Sequence, residues 1–272
     1  RPSMIAKTLA RKASPRREGT EMSKNTWRVA VVGAGFSGLI SARELERLGH
    51  EVEVIEARDR TGGRTWTDER MGFTLEMGGT WVHWMQPYVW SEVIRYGQTI
   101  YPSPIVDQAY WITGGEVRTG TEAEMDAKIS KPMEKIFERA REFFPYPHDP
   151  LYVLNDPDTP QETKDRFRAA DKESVLDILR DGTFTQEDID LADGYWRAAF
   201  QGETATASAL MALHWAALSD HRLSLLDDQT LRYKLHHGMK GIYDKIAADV
   251  RGRIRLSTVV SKVERDDDGA TL

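Results

Sequence analysis

Gly33, Gly35 and Gly38 stand in the pattern Gly33-Ala34-Gly35-Phe36-Ser37-Gly38, and Glu56 follows 23 residues after Gly33. This set can hold a dinucleotide. Gly33 permits a tight turn, Gly35 lets the backbone approach a pyrophosphate, and Gly38 lets a helix lie close to the preceding strand. The N-terminus of that helix offers free N–H groups and a positive dipole end to phosphates. Glu56 is placed to accept from ribose hydroxyls. The flanking segments are the ones this chemistry needs. Residues 28–32 (Arg-Val-Ala-Val-Val) read as a buried strand. Leu39, Ile40, Ala42, Leu45 and Leu48 recur at helical spacing until Gly49, and Val52 to Ile55 form a second strand ending at Glu56. A G-x-G-x-x-G pattern alone is weak; strand, turn, helix, strand and acid in this order predict dinucleotide binding. The alternative is a βαβ unit without a ligand.

Two more glycine pairs follow. Gly62-Gly63 precedes Arg64-Thr65, just past Glu56-Ala57-Arg58, and would bring more backbone and a cation to the phosphates. Gly78-Gly79 lies within Glu76-Met77-Gly78-Gly79-Thr80-Trp81, where backbone can approach a flat ring. A nicotinamide enzyme has no need of either pair. With Val82-His83-Trp84 added, this second segment resembles the flavin-containing amine oxidases, in particular the fungal and bacterial monoamine oxidases. Weaker similarity runs through residues 145–149, 213–216 and 259–263, so the resemblance covers residues 27–272.

The resemblance implies an FAD cofactor. It assigns to FAD the residues Gly33, Ala34, Gly35, Phe36, Ser37, Gly38, Glu56, Ala57, Arg58, Gly62, Gly63, Arg64, Thr65, Met77, Gly78, Gly79, Thr80 and Trp81. Val260 joins them through its backbone at the adenine, with Val259 standing where the family has proline. Trp81, His83, Tyr195 and Asp227 are placed near a substrate cavity, and the family's lysine near the flavin N5 falls beyond Leu272. The implied activity is oxidation of a primary or secondary amine to an imine, reoxidation of the flavin by O2 to give hydrogen peroxide, and hydrolysis of the imine to an aldehyde. The cofactor carries the hard step. A dry aromatic pocket keeps the amine neutral, because desolvation disfavours an ammonium. Other readings stay open: an L-amino-acid oxidase, although no arginine stands out to pair a carboxylate; a demethylase acting on protein lysines; and, outside enzymes, a flavin-binding scaffold.

Composition bounds the rest. The 272 residues are 40% hydrophobic and 29% charged, a globular balance. The net charge of −6 disfavours a nucleic-acid partner, and no run approaches the roughly 18 apolar residues of a membrane helix. The absence of cysteine excludes disulfides and thiolate metal sites within this chain. His236-His237 with His148 make a poor ligand set, since adjacent residues in a strand face opposite ways, and no metal is expected. Residues 1–26 form a basic flexible tail that can imitate a targeting segment; otherwise a cytoplasmic location and a homo-oligomer are expected.

Residues 81–111 hold eight of the 25 aromatic residues. They read either as core around a helix near 87–96 or, for Trp81, His83 and Trp84, as cavity walls suited to an amine through apolar burial and cation–π attraction. Met125, Ile129, Met133, Ile136, Ala140 and Phe143 mark an amphipathic helix, with a break predicted at Pro132. Five prolines in 145–160 predict an extended connection. Ser174 and Thr185 start two helices, residues 207–218 make a third, and His214 reads as a core histidine. Asp227-Asp228 reads as a solvated turn or cap rather than a cation anchor. Near the end, 253–256 and 259–263 read as strands and Asp266 to Gly269 as a hairpin turn. The short return arm predicts an incomplete chain and a second polypeptide partner. The fold class is α/β: a Rossmann-like FAD domain from 27–80 and 235–272, with a mostly helical substrate domain, 81–234, inserted.

Overall fold

The computed structural model describes residues 26–267 and 269–272. The basic tail therefore lies outside the described residues. The chain divides into two compact units: Arg1–Gly63 with Tyr243–Leu272, and Arg64–Ile242.

The first unit opens with β1 (Arg28–Val32), α1 (Phe36–Arg47) and β2 (Glu51–Ile55). β1 and β2 pair in parallel, with Arg28 opposite Glu51 and Val32 opposite Ile55. The apolar residues of β2 and of α1 (Leu39, Ala42) are buried together. This burial, at about 25 cal/mol per Å² of apolar surface, drives the βαβ unit to close.

In the second unit the chain forms the hairpin β3 (Thr67–Arg70) and β4 (Phe73–Glu76), then α2 (Pro87–Arg95) and β5 (Ile100–Pro102). A second hairpin follows, β6 (Ala109–Thr113) with β7 (Glu116–Gly120). The helices are α3 (Glu122–Phe143), α4 (Tyr152–Asn155), α5 (Gln161–Ala170), α6 (Val175–Leu179), α7 (Gln186–Phe200), α8 (Ala209–Leu218) and α9 (Leu223–Leu231). β8 (Tyr233–Leu235) then pairs antiparallel with β5. The core of this unit gathers Met133, Ile136, Trp196 and Leu213, all fully buried, from α3, α7 and α8.

The chain returns through α10 (Lys240–Asp249) to β9 (Arg253–Arg255), which pairs in parallel with β2. The sheet order is β1-β2-β9. The buried Glu46 of α1 fixes this return by accepting from the Arg251 and Gly252 amides at 2.8 and 2.5 Å. β10 (Glu264–Arg265) and β11 (Ala270–Thr271) form the hairpin expected around Asp266 and Gly269.

Four expectations change. Pro132 does not break α3. A helix-interior proline costs about 3 kcal/mol, but its neighbours Ile129, Met133 and Ile136 are buried in the core and together outweigh that cost. The proline-rich connection is not wholly extended, because α4 forms one turn inside it. Residues 259–263 are not a strand: the amides of Ser257 and Thr258 go to the carbonyls of Arg58 and Glu56 (2.8 and 2.9 Å), and Val259 and Val263 are exposed. The division between units also differs from the sequence boundaries, since residues 64–80 and 235–242 go with the second unit. Glu76 and Thr67 explain this. Glu76 Oε1 accepts from the Thr67 hydroxyl (2.7 Å) and the Met239 amide (3.0 Å), and Thr67 Oγ1 accepts from the Lys240 amide (3.0 Å).

Ser174 and Thr185 start their helices as expected, each in a capping box, and Thr121 does the same for α3. The Ser174 hydroxyl first, and then its amide, hold the Asp177 carboxyl below the ordinary carboxylate range. That contribution is complete above the unfolded carboxylate pKa and is lost as pH falls through the lower folded value. Loss of the N-cap hydroxyl in Ser174→Ala should cost about 1 kcal/mol, read as a lower urea midpoint at neutral pH. It should also raise the pH at which acid unfolding begins.

Candidate cofactor turn and substrate cluster

The turn after β1 is held at both ends. The Gly33 amide donates to the Ile55 carbonyl at 2.7 Å, and Gly33 takes φ +102°, open to glycine and strained for other residues. A Cβ on Gly38 would collide with the Gly33 carbonyl, so helix and turn approach as closely as backbone allows. Gly35 caps α1 in an extended conformation without a side-chain acceptor, and the first turn carries no acid. The first amides of α1 are thus left without a side-chain cap, which suits phosphate.

Glu56 is buried, and its carboxylate accepts from the Ala34 amide at 2.6 Å and the Arg58 amide at 2.8 Å. A carboxylate has about four acceptor positions, so two remain for ribose hydroxyls. Glu56 thus shapes the turn as well as offering an acceptor. The second glycine pair lies directly on this turn: the Gly62 amide donates to the Ala34 carbonyl at 2.9 Å, and Gly35 pairs with Gly62 as a parallel bridge. Arg58 and Arg60 both donate to the Gly63 carbonyl, at 3.0 and 3.1 Å. Arg60 was not singled out from sequence, and nothing in its type or spacing marks it. Phe36 packs edge-on against Tyr243, Ser37 and Ala57 are exposed, and Thr258 on the Glu56 carbonyl sets Val260 two residues away. The glycine cradle, uncapped helix start and buried acid fit a dinucleotide.

In the second unit, the Gly79 amide donates to the Arg64 carbonyl at 3.1 Å and the Met77 amide to the Trp66 carbonyl at 2.7 Å. Thr80 closes the turn by donating its hydroxyl to the Gly78 carbonyl at 2.7 Å. Arg64, Thr65 and Met77 to Trp81 are therefore brought together. A Cβ on Gly78 would collide with the Arg64 carbonyl, whereas one on Gly79 meets only the Thr65 methyl at 3.3 Å.

The four candidate substrate residues converge on α9 and its C-terminal end. The Trp81 indole donates to Ser103 Oγ at 3.0 Å, and Ser103 donates to the Leu231 carbonyl at 2.9 Å. Lys234 lies 5.4 Å from the centre of the Trp81 ring, a cation–π contact supplied by the protein itself. His83 is 1% exposed and stacks on Trp84 at 3.8 Å between centroids. Its Nδ1 accepts from the Met85 amide at 3.1 Å, so Nε2 donates to Asp228 Oδ2 at 3.3 Å. His83 is thus buried, with both ring nitrogens engaged within the protein. The Tyr195 hydroxyl donates to Asp227 Oδ1 at 2.8 Å. Burial, then the Asp227 charge, pushes the Tyr195 hydroxyl far up. Burial likewise raises Asp227, against the Tyr195 hydrogen bond and with help from the charges of Asp126 and Glu122.

Asp227-Asp228 is therefore not a solvated turn or cap. Both sit in the interior of α9, partly buried, because Leu226 beside them is fixed in the core. Successive helix positions diverge by about 100°, which turns Asp227 to Tyr195 and Asp228 to His83. Ser103, Arg232 and Lys234 complete the cluster and carried no motif. His214 accords with a core histidine, with Nε2 2.7 Å from the Pro147 carbonyl oxygen and its ring against Phe144.

The family model of flavin-containing amine oxidoreductases matches residues 36–272. The chain belongs to this family. Flavin is accordingly its cofactor, and FAD is the dinucleotide form that a βαβ turn fits. A pseudooxynicotine dehydrogenase from Pseudomonas sp. is 31% identical over 262 residues, covering 94% of this chain and 50% of that protein. A nicotine dehydrogenase from Pseudomonas putida is 31% identical over 248 residues, covering 90% and 49%. Among solved structures, a mutant of putrescine oxidase superposes with a TM-score of 0.69 at 27% identity, covering 90% of this chain and 54% of that one. The chain spans about half the length of the curated relatives it matches.

Two glycine substitutions separate the roles of these turns. Gly38→Ala forces α1 away from the turn and should destabilise by about 1–3 kcal/mol or more, with loss of flavin from the purified protein. Gly78→Ala should lower the melting temperature, while Gly79→Ala leaves it nearly unchanged. Flavin-to-protein absorbance ratios and thermal melts check both.

Proposed function

We propose that the protein is an FAD-dependent amine oxidase converting a primary or secondary amine to an imine, which water hydrolyses to an aldehyde. The observation that carries this reading is the buried Glu56 locked onto the glycine turn of a Rossmann-like βαβ unit, in a chain of the flavin-containing amine oxidoreductase family. Gly33 to Gly38 and the start of α1 would receive the pyrophosphate, Glu56 the adenosine ribose, and Val260 the adenine. Bound FAD supplies the two-electron acceptor for the C–H bond beside the amine nitrogen.

The second unit, whose residues lie in sequence between the two parts of the first, is assigned substrate recognition. Trp81 offers an apolar ring whose orientation is set through Ser103 and Lys234. Tyr195 and Asp227 offer a hydroxyl and a carboxylate. His83 holds the turn that carries Trp81 and Trp84 against α9 and touches no substrate itself. Trp81 and Trp84 are exposed among the described residues; aromatic surroundings closed to water would favour the neutral amine that the chemistry needs.

Dioxygen is the proposed final acceptor, with hydrogen peroxide as product. The names of two relatives, both dehydrogenases, favour a second reading in which another oxidant takes the electrons. The purified protein should show flavin absorbance near 450 nm, bleached by a suitable amine without air. Oxygen uptake with peroxide release supports an oxidase, and reduction of a dye with negligible oxygen uptake supports a dehydrogenase. Protein without flavin absorbance that binds a nicotinamide dinucleotide tightly would refute the proposal.

A further inference from the structure

β6 and β7 form a two-stranded sheet with no third strand among the described residues. Gly114 and Gly115, at φ +57° and +81°, make the two-residue turn of a tight hairpin. Thr113 and Glu116 flank that turn as a register pair, followed by Ile112 with Val117 and Trp111 with Arg118. The pair that closes such a turn exchanges both of its N–H···O bonds, and hydrogen-bonded and non-hydrogen-bonded pairs then alternate. Glu116 and Arg118 therefore turn their amides and carbonyls inward to β6, while Val117 and Thr119 turn theirs outward. One face of the hairpin is anchored to α7. The Trp111 indole donates to Glu187 Oε1 at 2.8 Å, and the Gly114 amide donates to Asp190 Oδ2 at 3.3 Å. Side chains alternate between faces, so the other face carries Tyr110, Ile112 and Val117, which are 63, 65 and 67% exposed. Residues 116–119 are all exposed. Edge strands are ordinarily blunted by proline, lysine, a bulge or a covering element. β7 has no proline or lysine, and its register with β6 runs without a bulge.

We propose that β7 pairs with β7 of a second copy of this chain, antiparallel about a two-fold axis, with Val117 opposite Val117, to make a continuous four-stranded sheet. The free edge allows few registers. Outward residues must meet outward residues to exchange their bonds, so Val117 can face Val117 or Thr119, and Thr119 can face Thr119. Val117 facing Thr119 sets Arg118 against Arg118, a destabilising like-charge pair. Thr119 facing Thr119 sets Glu116 against Glu122, where the strand has already given way to α3. Val117 facing Val117 sets Glu116 of each copy against Arg118 of the other, and the symmetry supplies this attractive pair twice. Within one copy Glu116 Oε2 already lies 2.9 Å from Arg118 Nη2. The four charges therefore gather on one face with alternating sign. On the opposite face the exposed Val117 and Ile112 of both copies join in one apolar stripe, and burial of Val117 against its counterpart favours association. The pairing needs neither flavin nor amine, so it stands apart from the amine-oxidising reading.

Sedimentation velocity of the purified protein over a dilution series, from about 1 μM to about 1 mM, should show reversible dimerisation. Glu116→Arg alone, or Arg118→Glu alone, puts like charges at both crossings. Either should weaken the dimer about 10-fold or more and leave the thermal melt in place, because both side chains are exposed. An equimolar mixture of these two variants restores opposite charges at both crossings and should recover the dimer, as should the double variant. The register is read separately. The chain holds no cysteine, so one introduced thiol can cross-link only to its own counterpart. Cα atoms of a hydrogen-bonded antiparallel pair lie about 5.5 Å apart, within disulfide reach. Val117→Cys should oxidise to a covalent dimer, and Ile112→Cys, one strand further from the axis, should not. A protein that stays monomeric at every concentration overturns the inference, whatever else the hairpin binds. So does a dimer indifferent to both charge reversals, or one that cross-links equally through Ile112→Cys.

Discussion

The Glu56 carboxylate, taken out of water at the end of β2, must find donors, and it finds the backbone amides of Ala34 and Arg58. The same constraint recurs wherever this chain makes a turn that matters. Glu46 fills itself with the amides of Arg251 and Gly252 and so brings β9 into the sheet. Glu76 takes the Met239 amide and the Thr67 hydroxyl and ties one hairpin to residues far along the chain. An unpaired buried carboxylate is costly, while one given two or three N–H donors is rigid and directional. Backbone donors also come without the conformational entropy of a long basic side chain. At these three acids backbone amides supply most of the donors, and arginine side chains reinforce the turns around Glu46 and Glu56.

This economy bears on the cofactor turn. The glycines at 33, 35 and 38 remove side chains from the path of a ligand, but removal alone leaves a floppy loop. Rigidity comes from Glu56 on one side and from Arg58 and Arg60 on the Gly63 carbonyl on the other. The acid proposed for a ribose is therefore also a structural keystone, and the proposed duty would use lone pairs that the Ala34 and Arg58 amides leave open. Preorganisation of this kind lowers the ordering cost of binding.

In the second unit, α9 distributes its functional groups by helical rotation. Asp227 meets Tyr195 from α7, Asp228 meets His83 from the turn after Trp81, and the Leu231 carbonyl meets Ser103. Three segments distant in sequence thus meet one short helix. The helical core beneath them, with Trp196 and Leu213 fully buried, makes their separations stiff.

The sequence by itself determined the parts that local chemistry dictates. Gly33 to Gly38 and Glu56 announce a dinucleotide turn because each glycine and the acid are required at fixed offsets. Ser174 and Thr185 announce helix starts because their hydroxyls satisfy amides three residues on. Gly78-Gly79 reads in sequence as a place where backbone can approach a flat ring; the close contact the fold makes is that of Gly78 with the Arg64 carbonyl, while Gly79 meets only the Thr65 methyl. What only tertiary structure decided are the features that depend on distant partners. Pro132 stays helical because the core beneath α3 outweighs one lost hydrogen bond. Val259 to Val263, apolar enough for a strand, has no strand beside it, since the preceding amides are drawn to Glu56 and Arg58. Asp227 and Asp228 look identical in sequence, and their environments differ because one turns toward a tyrosine and the other toward a histidine and an arginine. Charge environment is a property of three-dimensional neighbours, and no local pattern encodes it.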